Sequence, residues 1–394
     1  MNNHHHNLRA QRKSALVAMV STHVAGLFFL PLMPLLLGAI ASGFDATPMQ
    51  LGTMATIQLS CTALGAALLS RFAALYNCRT LVLVAILTEL LVNVACTLVD
   101  STLAITLLRA VSGLSQGILL ASAAATAAAS TNTERIYATY NVVLAVFAVL
   151  GLLIGAKLIH QYGHIGGFSL FAAIDLLAII FIIKGFPNFF IQTAQNERKH
   201  NQSHNSPVNL RPLLSLTLFG AALAGTQTFV ERLGVEHGGS VELIGQYLAA
   251  GWCLAIFIPF LVIPLIRKWG GVTPLVVAYF FVASVALALS LTTSLPFYLI
   301  AAALFTPAAV FIEPFQFGIL GAFDRSGRLA ALGPAAISVG SGVGPVIAGS
   351  FIGVYGLKSI GFLACFFFLA SIFVLFPLAV KAYKKKDADN CFSD

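Results

Sequence analysis

Twelve long apolar runs govern what this chain can fold into. They lie at about residues 14–40, 50–76, 80–99, 102–128, 136–160, 165–186, 212–231, 242–266, 273–292, 296–321, 328–353 and 358–380. A helix needs ~20 apolar residues to cross the hydrocarbon core of a bilayer, and these runs meet that length. They are too long, and too free of polar alternation, to be membrane β-strands. The sequence therefore predicts an all-α polytopic membrane protein with twelve transmembrane helices. Of the 394 residues only 9% are charged and 58% are hydrophobic, whereas a soluble surface needs roughly a quarter charged. Nucleic-acid binding, secreted disulfide scaffolds and most soluble enzyme classes are excluded on that ground.

The net charge of +8 reads as an orientation signal rather than a binding patch. With twelve spans both termini share one side. If that side is cytoplasmic it holds Arg9, Arg12, Lys13, Arg71, Arg79, Arg135, Lys184, Arg198, Lys199, Arg211, Arg267, Lys268, Arg325, Arg328, Lys381, Lys384, Lys385 and Lys386, which is 18 of the 22 Lys and Arg residues. The positive-inside rule then places both termini in the cytoplasm. Asp45, Asp100, Glu231, Glu236 and Glu242 fall to the opposite loops in this reading. Short loops and a compact chain point to a bacterial inner membrane.

The first run is too long for a cleaved signal peptide and contains Pro31 and Pro34. His4, His5 and His6 at the terminus, and six cysteines without a CxxC pair, imply neither a metal site nor disulfides. No GxxxxGK[ST], HExxH or GxSxG motif occurs, so the chain reads as neither an ATPase nor another enzyme, and no cofactor is implied.

Residues 187–211, PNFFIQTAQNERKHNQSHNSPVNLR, form the one long polar stretch, between six spans and six. An ungapped shift of 193 residues, the distance from Arg135 to Arg328, aligns the two sides. It also sets MQLG at 49–52 on ELIG at 242–245, GLLIGA at 151–156 on GPVIAG at 344–349, and Tyr162-Gly163 on Tyr355-Gly356. The expected organisation is a six-helix bundle at 1–186, a cytoplasmic linker at 187–211 and a second, pseudo-symmetric six-helix bundle with a basic tail at 212–394. Such parallel repeats place a substrate path at their interface.

On these features the chain resembles the major facilitator superfamily over essentially its full length. The resemblance implies alternating access by a monomer in a lipid bilayer, with a small-molecule substrate and protons as partners and no nucleic acid. The family's basic loop after span 2 corresponds to SRFAALYNCRT, which keeps Arg79 but has Ala74 where an aspartate is expected; its copy PLIRKWGG keeps Lys268 and Gly270 and has Arg267 in that place. RAVSGLSQG in span 4, with Arg109, Gly113 and Gly117, is similar to the family's arginine–glycine pattern linked to proton-coupled export. GSGVGPVIAG in span 11, with Gly340, Gly344, Pro345 and Gly349, is similar to the antiporter pattern of span 5. Glycines at such spacing give a flat face for close helix packing, and Pro345 adds a bend, so both packing and gating are open to them.

Ionisable groups at membrane depth cost several kcal/mol and need a partner or a task. Four stand out: Glu89 in span 3, Arg109 in span 4, Asp175 in span 6 and Glu313 in span 10. In the resembled fold spans 1, 4, 7 and 10 line the cavity, which implies that Arg109 and Glu313 face the path. There Glu313 would carry a proton or a cationic group, with Arg109 tuning it or holding an anion. Glu89 and Asp175 on supporting spans, and His23 in span 1, are candidates for proton handling or for structural hydrogen bonds. Gln58, Gln116, Tyr140, Asn141, Gln227, Tyr247, Trp252 and Gln316 are candidate cavity residues. The leading functional expectation is proton-coupled efflux of a small organic or drug-like compound. Proton-coupled uptake of a small organic acid or metabolite is the alternative, and a non-transporting receptor or scaffold the third reading.

Overall fold

The computed structural model describes residues 2–72, 77–128, 130, 133–187, 210–323 and 328–391. Every regular element among them is helical. We label them α1a (Asn2–Leu27), α1b (Phe29–Phe44), α2 (Pro48–Phe72), α3 (Cys78–Cys96), α4 (Thr102–Ala128), α5 (Thr133–Tyr162), α6 (His164–Gly185), α7 (Arg211–Glu236), α8 (Val241–Trp269), α9 (Val272–Leu291), α10 (Leu295–Phe323), α11 (Arg328–Tyr355) and α12 (Ser359–Cys391). α1a and α1b form one span, Lys13–Phe44, interrupted at Phe28, so the described residues contain twelve helices long and apolar enough to cross a membrane. Each helix satisfies its backbone groups internally, as a lipid solvent requires.

Span limits agree with the sequence to within a few residues, with one consequential exception. Glu231, read above as a loop residue, lies inside α7 and is 2% exposed. The Glu231–Arg232 pair resembles a span end, but the helix runs on to Glu236 and breaks only where Gly238 adopts a positive φ of 83°. Residues 188–209 of the polar stretch, Ala74 and Arg325 lie outside the described residues, as do the side chains of His4 to His6, Arg267 and Arg328.

The chain divides into two compact units, Met1–Leu36 with Ile57–Ser206, and Leu37–Thr56 with Pro207–Asp394. The first unit is built on α1a, α3, α4 and α6, whose core includes Ala18, Ala25, Val82, Ala85, Ile86, Leu119, Ala178 and Ile182. In the second, α7 packs along α11 and α12, and α12 packs along α9. There Ser215, Tyr279 and Ser371 form a buried chain of hydroxyl hydrogen bonds at 2.8 and 2.9 Å, flanked by Phe219 and Phe368.

Small residues set the closest helix contacts. A Cβ on Gly113 or Gly117 of α4 would collide with the carbonyl of Gln58 or Thr62 on α2; one on Gly340 or Gly344 of α11 would collide with that of Thr217 or Ala221 on α7. The 193-residue shift also maps contact onto contact. Gly151 against Phe28 becomes Gly344 against Ala221, and Gly155 against Leu32 becomes Ala348 against Gly225. Gly163 and Gly356, matched by the same shift, break their chains with positive φ of 60° and 79°. The repeat is thus one of packing register as well as of sequence.

Overpacking a tight contact of this kind costs roughly 1–3 kcal/mol. Gly344→Leu is expected to lower the thermal unfolding midpoint of the detergent-solubilised protein, whereas Gly353→Ala, where a Cβ meets nothing within 4 Å, leaves it unchanged.

Candidate functional site

The first unit contains a buried polar cluster that the helical periodicity assembles. Glu89 and Asn93 stand four apart on α3, and Arg109, Ser112 and Gln116 stand at i, i+3 and i+7 on α4, so each set shares a face. Asp175 enters from α6 and Gln58 from α2. The six central residues are 0–3% exposed.

Asn93 is the hub. Its amide donates to Asp175 Oδ2 at 2.7 Å, and its carbonyl oxygen accepts from Arg109 Nη2 at 2.7 Å. Glu89 Oε1 accepts from Ser112 at 2.7 Å and from Gln116 Nε2 at 2.9 Å; Gln58 Nε2 in turn donates to Gln116 Oε1 at 3.2 Å. The guanidinium of Arg109 lies over the Phe168 ring, 5.0 Å from its centroid, a favourable cation–π geometry. Three polar atoms in this cluster nevertheless lack hydrogen-bond partners: Glu89 Oε2, Arg109 Nε and Arg109 Nη1. A cavity of about 10 Å³, the volume one water molecule needs, adjoins Glu89, Asn93, Gln116 and Asp175.

Two carboxyls and one guanidinium sum to −1 when all are ionised. A single proton makes the cluster neutral, and burying net charge in a low-dielectric interior is expensive. The site is therefore built around a charge that one proton can cancel.

The second unit provides an internal comparison. The 193-residue shift carries Glu89, Asn93, Arg109, Ser112 and Asp175 onto Val282, Ala286, Ala302, Phe305 and Phe368. All five are buried, and Phe305 and Phe368 pack edge to face with centroids 6.2 Å apart. The five matched positions are thus occupied by hydrocarbon, and the polar groups nearby, Tyr279, Gln316 and Ser371, are uncharged, so helix packing does not impose the charges of the first unit.

The other candidate residues are dispersed. His23 stacks on Tyr140, with ring centroids 4.6 Å apart and 14° between planes; its Nε2 is buried without a partner, and the Tyr140 hydroxyl donates to the Ala123 carbonyl. Gln316 is fully buried and donates to the Tyr279 hydroxyl at 2.6 Å. Glu313, one turn before it on α10, is half-buried and has no hydrogen-bond or ion-pair partner among the described residues. Gln227, Tyr247 and Trp252 are half-buried and Asn141 is exposed. Arg109, expected on the path beside Glu313, makes its hydrogen bond and its ring contact within its own unit. Pro345 and Gly349 of α11 contact residues 48–52: Gly52 lies against the Pro345 carbonyl and Gly349 against that of Pro48. Asn93 and Ser112 join the cluster without having stood out in the sequence, although their spacings from Glu89 and Arg109 carry the signal.

Removing one member of a buried ion group costs roughly 3–5 kcal/mol, while replacing the whole group by well-packed apolar residues is neutral or stabilising. Arg109→Met is expected to lower stability by about that amount. The combined replacement Glu89→Val, Asn93→Ala, Arg109→Ala, Ser112→Phe and Asp175→Phe, which copies the second unit, should restore most of it in thermal unfolding of the purified protein.

No curated protein sequence matches the chain. Among solved structures, a bacterial homologue of the human lysosomal transporter Spinster, inward-facing and occupied, is similar at a TM-score of 0.74 and 17% identity, over 95% of this chain and 98% of that one. The nucleoside transporter NupG is similar at 0.71 and 12% identity, over 93% and 98%. The human organic anion transporter MFSD10 (TETRAN) is similar at 0.63 and 16% identity, over 93% and 99%. The profile of the Major Facilitator Superfamily matches residues 16–323, more than three quarters of the sequence. With twelve spans, a repeated six-helix packing register and that match, the chain belongs to the Major Facilitator Superfamily of secondary transporters.

Proposed function

We propose that this transporter couples proton movement to the export of a small organic or drug-like compound, with both termini in the cytoplasm of a bacterial cell and residues 187–211 linking the two bundles. The observation that supports coupling is the cluster of Glu89, Asp175 and Arg109, buried, one proton short of neutrality and matched by apolar residues in the second unit. A proton entering or leaving changes the electrostatic energy of the whole first unit, and in alternating access that difference biases one conformation over another. The fold relatives include a nucleoside transporter, an organic anion transporter and a D-xylose–proton symporter, a range that leaves the cargo to the rest of the cavity. The direction of transport rests on the arginine–glycine pattern of α4. Uptake of an organic acid held by Arg109 has less support, because the guanidinium is 1% exposed and engaged by Asn93 and Phe168.

Everted membrane vesicles carrying the protein, energised with an acid interior and challenged with a panel of organic cations, anions and neutral amphiphiles, test the reading. A cargo compound is expected to release protons from the lumen, seen as recovery of a quenched pH-sensitive dye. Glu89→Gln and Asp175→Asn should each reduce this coupled proton release at least tenfold while solute exchange across a membrane without a pH gradient persists. Flux indifferent to the imposed gradient would remove the coupling claim.

Glu313 is the second group proposed to load a proton or to meet a cationic part of the cargo, since it is the ionisable side chain of α10 with no protein partner among the described residues. Glu313→Gln is expected to flatten the dependence of transport on pH. Unaltered pH dependence in that variant would end the role.

A further inference from the structure

Glu231 is buried, charged by nature and unused by the site described above. Its carboxyl rests on Gly38 of α1b so closely that a Cβ there would overlap it, and its Oε2 has no hydrogen-bond partner. The neighbouring Arg232 is near enough to attract the carboxyl electrostatically, but its guanidinium makes its hydrogen bond to Ser42, donating to Oγ at 2.9 Å. Among the described residues the surrounding elements bring no other lysine or arginine. α1b offers only Leu37, Gly38, Ala39, Ile40 and Ala41 at this level; α10 offers Tyr298, whose hydroxyl donates to the Val230 carbonyl. His237, at the end of α7, stacks on that tyrosine with its ring nitrogens 2.6 Å from the carbonyls of Leu233 and Thr292.

Residues 37–56, the end of the first span and the start of the second, form an arm that belongs to the second unit. Besides Gly38 on Glu231 and Ser42 on Arg232, it is held where the Val346 amide donates to Thr56 Oγ1 at 3.1 Å, where Gly52 lies on the Pro345 carbonyl and where Gly349 lies on that of Pro48. Four of these contacts are neutral or solvated at one end. The Glu231 contact alone among these changes character with ionisation, because the docked arm leaves Oε2 buried without a donor.

We propose that Glu231 is a proton-binding site that governs docking of residues 37–56. Docking takes one proton from solvent to form the O–H bond of the neutral carboxyl; release of the arm exposes the carboxyl and returns that proton to water. The site goes beyond the Glu89–Asp175–Arg109 cluster, shares no residue with it and operates whether or not that cluster couples transport. It also gives a reason for glycine at position 38: any side chain there would occupy the space of the carboxyl.

Hydrogen exchange of the full-length protein in detergent, followed by mass spectrometry and corrected for intrinsic exchange rates, tests the proposal without a substrate. In the wild-type chain, protection of residues 37–56 should fall as pH rises, with a limiting slope of about tenfold per pH unit for one linked proton. Glu231→Gln should keep the arm protected at every pH. Gly38→Ala, which denies the carboxyl its seat, should leave it unprotected at every pH, and serves alone if the glutamine variant does not fold. A flat profile in the wild-type chain, an unchanged slope in Glu231→Gln or full protection in Gly38→Ala would each overturn the assignment.

Discussion

A hydrocarbon solvent leaves no partner for a bare polar group, and this constraint orders the molecule. Backbone groups are consumed within the twelve helical spans of the described residues. Apolar side chains face both lipid and core, so hydrophobicity no longer separates inside from outside and glycine and alanine contacts set the helix register. Against that background any polar side chain that is fully buried marks a place where the chain accepts an energetic cost.

The two units meet this constraint differently. In the second, hydroxyls of Ser215, Tyr279 and Ser371 satisfy one another and the place between α9, α10 and α12 is filled by Val282, Phe305 and Phe368. In the first, the matching place between α3, α4 and α6 holds two acids, an arginine and the asparagine that joins them. The helices repeat while the contents of the bundle do not. The packing register is repeated, while this cluster of two acids and an arginine occupies one copy.

Much of this is legible in the sequence because membrane spans follow from length and hydropathy alone. The scarcity of charge singles out Glu89, Arg109, Asp175 and Glu313 one by one. Their grouping is not legible: which of α3, α4 and α6 meet is decided by helix packing, and Asn93, uncharged and ordinary in sequence, gives no hint that it bridges an acid and a guanidinium. The analogy of span positions places Arg109 beside Glu313, whereas its length and the short residues around it let it reach Asn93 and Phe168 instead. Glu231 is misplaced by sequence because two adjacent charges look like the end of a span, although a helix ends where its hydrogen bonding ends, here near Gly238.

Residues 38 and 231 are counterparts under the 193-residue shift, so the contact between them joins one ancestral position to its own duplicate. Such a position cannot hold the same large residue twice, because the two copies compete for one volume. The volume goes to the Glu231 side chain, and position 38 has none. In this packing a larger residue at 38 requires a smaller one at 231, or a shift of the two helices.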